Sequence, residues 1–242
     1  MKNHHKKLKT CCVGIDCSGI NILEQVIREN VPMYAYVAIE SEKQQFHSFE
    51  KKKILIRCDE WPDSETNPDI SENILISNTT KKEIKQAISK SKVIFITTSM
   101  GTKTGTKGAL AVAQVAKHIN LPTIAIVTMP FRFEGMKKQQ FAEKGIKLLK
   151  EMVDLLIIIP HENTELIMPR RSHRAIYMCN SFRSGENIAA KTILELVATI
   201  QNTRSQKKQY IVEQLQQNEF LANFYTLYQS SIPVYVYRKE KQ

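Results

Sequence analysis

Three runs in this chain carry no polar break worth the name: KVIFITT (92–98), PTIAIVT (122–128) and DLLIIIP (154–160). A strand apolar on both faces has to be covered on both faces, and that burial is characteristic of parallel sheets sandwiched between helices. The intervening segments supply the helices. ALAVAQVAKHI, KKQQFAEKGIKLLKEM and GENIAAKTILELVATIQ (185–201) have helical apolar spacing. Upstream, KTCCVG (9–14), YAYVAI (34–39) and KILIRC (53–58) read as further strands. Gly19 opens a helix on which Ile22, Leu23, Val26 and Ile27 share a face. Thr79 or Thr80 can cap a helix over KKEIKQAISK, with Glu83 completing a capping box. Between Asp59 and Ser77, Trp61-Pro62 and Asn67-Pro68 mark a loop. The expected fold is α/β, a doubly wound, mostly parallel sheet with helices on both faces.

The organisation expected is a basic tail over 1–8, a principal domain over 9–202 and a tail over 203–242. In that last segment Tyr210, Ile211, Leu215, Leu221, Phe224 and Tyr228 recur at helical spacing, and PVYVYR (233–238) is strand-like. The stripe either packs on the parent domain or offers a surface to a partner. No apolar run approaches the ~20 residues of a membrane span. The apolar stretch after MKNHHKKLKT is too short and interrupted for a secretory signal, so the expected location is cytoplasmic. The five cysteines, Cys11, Cys12, Cys17, Cys58 and Cys179, are odd in number and form no CxxC pair. That argues against a disulfide framework or a zinc site. The net charge of +11 comes from lysines spread along the chain without interleaved aromatics, which speaks against a nucleic-acid site.

Two glycine-bearing loops, Gly14–Asn21 and Met100–Gly108, each join an apolar strand to a helix. A helix N-terminus offers unpaired N–H groups and partial positive charge, which suit phosphate. Thr102, Thr104 and Thr106 add hydroxyls, and Lys103 and Lys107 add charge. Neither loop matches GxxxxGK[ST] or GxGxxG. From the residues alone, phosphate loops and ordinary strand–helix turns are both open readings.

The order of motifs resembles FtsZ, the bacterial relative of tubulin. Gly101-Thr102-Lys103-Thr104-Gly105-Thr106-Lys107 resembles the signature GGGTGTG. PFRFEGMKKQQFAEKGI (130–146) resembles PFxFEGxxRxxxAxxGI, VDLLIIIPHE (153–162) resembles VDxLIxIPND, and NSFRSGEN (180–187) resembles DAFxxAND. Gly14, Gly19 and Asn21 fit the first family loop, GGGGGN. The resemblance covers about residues 9–200 in one consistent order. It implies GTP or GDP binding, with magnesium if a triphosphate is held. The nucleotide-binding residues it implies are Gly14, Cys17, Ser18, Gly19, Asn21, Gly101, Thr102, Lys103, Thr104, Gly105, Thr106, Glu134, Lys138, Phe182 and Glu186. Within these, Glu134 would bond the ribose, Lys138 would replace an arginine, Phe182 would stack on the base and Glu186 would read it.

The chain also departs from that pattern. Asp16, Cys17, Ser18, Thr102, Lys103 and Lys107 stand where the family has glycine, and His161 replaces an asparagine. No NxDxxD segment follows the helix 185–201, so the chain looks like FtsZ cut short before its activation domain. The expected function is guanine-nucleotide binding in a cell-division setting, with self-assembly or assembly with FtsZ, and with weak or absent intrinsic GTPase activity. The alternative is a degenerate FtsZ-fold interaction module that does not bind nucleotide.

Overall fold

The structure is a computed structural model that describes residues 8–31, 33–40, 53–57, 76–161, 174–201, 207–218, 221 and 235–238, with backbone alone for 53–57 and 174–182. Its centre is a seven-stranded sheet of β1 (Thr10–Ile15), β2 (Ala35–Glu40), β3 (Lys53–Arg57), β4 (Val93–Ser99), β5 (Thr123–Met129), β6 (Leu155–Pro160) and β7 (Tyr235–Arg238). The order is β3-β2-β1-β4-β5-β6-β7. All pairs are parallel except β6–β7, which is antiparallel. The helices are α1 (Asp16–Arg28), α2 (Asn78–Ile88), α3 (Lys103–His118), α4 (Met136–Met152), α5 (Arg174–Gln201) and α6 (Lys208–Gln216). The doubly wound α/β expectation therefore holds.

Alternation along each strand sorts the core into two layers. Val13, Ile94, Ile96, Val127 and Leu156 face α2, α3 and α4. Cys12, Phe95, Ile126, Ile157 and Ile159 face α1, α5 and α6. On α1, Ile22, Leu23 and Val26 are buried, each contributing about 2 kcal/mol of apolar transfer. On α3, Ala109, Ala111, Ala113 and Ala116 are buried together with Leu110, Val112 and Val115 in the first of these layers. Burial pushes the Cys11 thiol up to about 12 and Cys12 well above its usual range, so both behave as small core hydrophobes.

Several boundaries differ from the sequence expectations. β1 passes straight into α1 at Asp16, with no loop between them and Gly19 already helical. The cap of α2 is Ser77, whose side chain accepts from the Thr80 N–H at 3.0 Å; Thr79 and Thr80 lie inside the helix, and Glu83 is too far along for a capping box. α3 starts at Lys103, six residues before the expected apolar stretch, because Thr102 caps it. α5 starts at Arg174 rather than 185. The expected loop over 59–77 lies outside the described residues except for its last two positions, as do Phe224 and Tyr228.

In the tail, Ile211, Leu215 and Leu221 are buried in the α5-side core, while Tyr210 is exposed. Lys208 pairs with Asp154 at 3.3 Å, and Lys150 lies over the Tyr237 ring at 4.6 Å. For these apolar residues the stripe packs on the parent sheet. Among the described residues no helix is long and apolar enough to cross a membrane.

Candidate functional site

Chain connections leave the neighbouring strands β1 and β4 toward opposite faces: α1 packs beside α5, and α3 beside α2 and α4. Such a switch point opens a crevice at the carboxyl ends of the strands, where open α/β sheets bind their ligands. Both glycine-bearing turns lie there, so the two sequence candidates converge.

The turn after β1 is made by one residue. Asp16 has φ 62, a left-handed conformation that few side chains other than Asn and Asp adopt readily. Its Oδ1 accepts from the Cys17 N–H at 2.8 Å. Its Oδ2 accepts from the Thr102 hydroxyl at 2.7 Å, which ties the first turn to the second. In the second turn Gly101 carries the left-handed conformation, φ 97, and its N–H donates to Thr106 Oγ1 at 2.9 Å. Thr102 then accepts from the Gly105 N–H at 2.9 Å while donating to Asp16. The Thr98 hydroxyl donates to the Ile15 carbonyl at 2.9 Å, a second tie between the turns that the sequence did not single out.

The glycines kept at these turns have a common cause. A Cβ on Gly19 would stand 2.2 Å from the Thr97 carbonyl oxygen, one on Gly14 2.5 Å from that of Gly19, and one on Gly105 2.4 Å from that of Ser99. All three let backbone pack on backbone. The residues standing in place of family glycines, Asp16, Cys17, Ser18, Thr102, Lys103 and Lys107, are all at least partly exposed. Glycine thus stands where backbone closes on it, and side chains stand at the more exposed positions of the same turns.

On the α5 side, Glu186 is buried, and its Oε1 accepts from Asn21 Nδ2 at 3.1 Å. Burial holds its carboxyl above the usual range, opposed by hydrogen bonds from Asn21 and Ser18 and by the charge of Arg183. Asn21 and Ser18 are thus brought to Glu186. Phe182 lies on α5, with its side chain outside the described residues. Thr104 and exposed Lys103 occupy the first turn of α3.

After β5, a short 3-10 turn (Arg132–Glu134) leads into α4. Glu134 Oε1 accepts from the Phe131 N–H at 2.8 Å, and its other oxygen pairs with Lys138 one helical turn on. The expected ribose contact, Glu134, therefore engages Lys138, the residue expected to replace an arginine. His161, which stands where the family has an asparagine, is 1% exposed. It stacks on Phe131 with ring centroids 5.0 Å apart and lies against Gly185, where a Cβ would meet Nδ1 at 2.8 Å. Burial lowers its pKa to about 4, with Glu134 opposing and Lys138 assisting, so it is neutral near pH 7.

A model of the tubulin/FtsZ family, GTPase domain, matches residues 9–168. Cell division protein FtsZ of Buchnera aphidicola subsp. Acyrthosiphon pisum is 31% identical over 191 residues, which is 76% of this chain and 48% of that protein. Its counterpart from Pseudomonas putida is 27% identical over 184 residues, covering 75% and 45%. The structure of an empty FtsZ dimer from M. jannaschii matches with a TM-score of 0.68 and 28% identity, covering 83% of this chain and 57% of that one. The chain spans about half the length of the curated relatives it matches.

Proposed function

Because the chain belongs to the tubulin/FtsZ family and folds as its GTPase domain, we propose that it binds guanine nucleotide at the β1–β4 switch point. The observation that carries this reading is the convergence of the two turns at the carboxyl ends of neighbouring strands, tied by the Thr98–Ile15 bond. Gly14, Gly19, Asn21, Gly101, Thr102, Lys103, Thr104, Gly105 and Thr106 form the phosphate end. Glu134 and Lys138 serve the sugar, and Phe182 and Glu186 the base. A carboxylate accepts from the N1–H and N2–H donors of guanine, which supports guanine over adenine. Cys17 and Ser18 border the phosphate end.

The donor set fits this ligand unevenly. The base and sugar ends hold suitable groups, whereas the first turn presents the carboxylate of Asp16 to a polyanion. Magnesium, if a triphosphate binds, would find hard oxygen donors in Asp16 and Thr102, and it would offset the phosphate charge. Magnesium takes one or two carboxylates together with phosphate and water. A cytoplasmic, cell-division setting, assembly with itself or with FtsZ, and weak or absent intrinsic turnover belong to the same proposal.

Thermal unfolding with excess GTP, GDP and ATP tests it. At a ligand concentration 100 times Kd, binding stabilises by about 2.7 kcal/mol. A chain of this size then melts several degrees higher, on the order of 2–4 °C per kcal/mol. GTP and GDP are expected to give that shift and ATP a smaller one. No shift, or equal shifts with ATP and GTP, overturns the guanine reading. The Asp16–Thr102 bond favours a second reading, an interaction module on the same fold. Nucleotide-independent binding to a division protein would support it.

A further inference from the structure

The crevice between the two turns already holds an anion of the protein's own. The Cys17 N–H, at the first turn of α1, and the Thr102 hydroxyl, at the mouth of α3, are the kind of donors a phosphate oxygen would take there. Both point at the Asp16 carboxylate, at 2.8 and 2.7 Å. The backbone at Asp16 is left-handed, φ 62, so this side chain is held at a position where glycine would be free of strain. Its neighbours Gly14 and Gly19 are kept by close backbone packing, whereas Asp16 itself is partly exposed on the crevice side.

We infer that Asp16 is a built-in plug: its carboxylate occupies one donor from each phosphate turn, and a polyphosphate enters only after that carboxylate leaves. This deepens the nucleotide-binding proposal and rests on it. The plug acts in two ways. It takes the two donors, and it sets a negative charge within contact distance of an incoming anion, where like charges repel. It also keeps the two turns joined when no ligand is present, because the same carboxylate bridges them. Removing it therefore frees the cradle while leaving the Thr98–Ile15 tie in place.

The experiment compares the full chain with Asp16→Asn and Asp16→Gly by titration calorimetry, using inorganic pyrophosphate, GDP and GTP as probes and ATP as the specificity control, in a chelator and then in magnesium. Glycine suits the left-handed backbone, and circular dichroism with urea unfolding confirms that each variant is folded. In chelator, Asp16→Gly is expected to bind all three probes on the order of tenfold or more tighter than the wild type, since two charge-assisted contacts no longer have to be displaced. Asp16→Asn, neutral but still able to accept, should gain less.

Unchanged or weaker binding by folded Asp16→Gly overturns the plug. If the wild type meanwhile prefers GTP over ATP, the guanine reading survives that loss. Magnesium-dependent GTP binding lost in Asp16→Gly, with no tightening of any probe in chelator, would mark Asp16 as a cation ligand alone, which also overturns it. Tighter pyrophosphate binding with no preference for GTP over ATP leaves the plug standing and removes the guanine reading. No binding of any probe by any folded variant removes both.

Discussion

The turns after β1 and β4 solve the same problem with different residues. Each must reverse from strand to helix within a residue or two, take one left-handed conformation and satisfy the first N–H groups of its helix. The second divides the work: Gly101 takes φ 97 and Thr102 caps Gly105. The first gives both tasks to Asp16, at φ 62 with its carboxylate on Cys17. Behind them the turns are alike, since Gly19 and Gly105 both press against a strand carbonyl. In front they differ in charge, a carboxylate in one and hydroxyl and lysine side chains in the other. The scaffold is thus shared, and the difference lies in what each turn presents to an anion.

Three measurements break or sharpen that comparison. Gly19→Ala and Gly105→Ala test the likeness behind the turns. Each puts a Cβ within 2.4 Å of a carbonyl oxygen, and each is expected to cost about 3 kcal/mol or more in urea unfolding. If one is tolerated, the two turns do not share a scaffold.

The second measurement is pH dependence, which separates the α5 side, with its buried Glu186 and His161, from the α3 side. The folded pKa of His161, about 4, lies below its ordinary value of 6.5. The unfolded chain therefore binds the extra proton first as pH falls. The contribution of His161 is complete above pH 6.5 and is lost on the way down to about pH 4. Between pH 7 and pH 5 this amounts to about 2 kcal/mol. Glu186, held above its usual range, acts in the opposite direction. The His161 share is therefore read against His161→Gln, which should lose that much less over the same interval. Equal pH slopes in the two proteins would show that His161 is not held neutral by burial.

The smallest effects come from the turn residues themselves. Thr102→Val removes the Gly105 cap and the donor to Asp16, at about 1.5 kcal/mol. Asp16→Gly exchanges left-handed strain for two lost bonds and should fall within about 1 kcal/mol of the wild type. A larger cost for Asp16→Gly than for Thr102→Val, again by urea unfolding, would reverse the comparison and make the acid the main support of both turns.

The sheet was legible because its determinants are local. VIFITTS, TIAIVTM and LLIIIP are apolar on both faces, and no other element accommodates such runs so readily. Helix starts were less legible, because Thr, Ser and Gly read as loop until their cap partners are known. Thr102 reads from sequence as a loop hydroxyl, yet its bond to the Gly105 N–H makes it the first boundary of α3. The convergence of the two turns followed from strand–helix alternation. What fills the crevice did not follow, because Asp16 and Thr102 are 86 positions apart and meet only through the β1–β4 register. The same holds for Asn21 and Glu186, joined across α1 and α5. His161 directly follows an apolar run, and nothing next to it in sequence marks it as buried. Its burial depends on Phe131 and on a glycine at 185, neither of them near it in sequence.

β7 has a consequence for how the molecule is made. It pairs with β6 through Leu155–Arg238, Leu156–Tyr237, Ile157–Val236 and Ile158–Tyr235. During synthesis, β6 emerges long before its outer partner, so its free hydrogen-bonding edge stays open while some 75 further residues are translated at roughly 5–20 residues per second. An unpaired apolar edge is a template for wrong pairing. A nascent chain of this protein therefore passes through several seconds in which any other strand can claim that edge, and the arrival of Tyr235–Arg238 ends them.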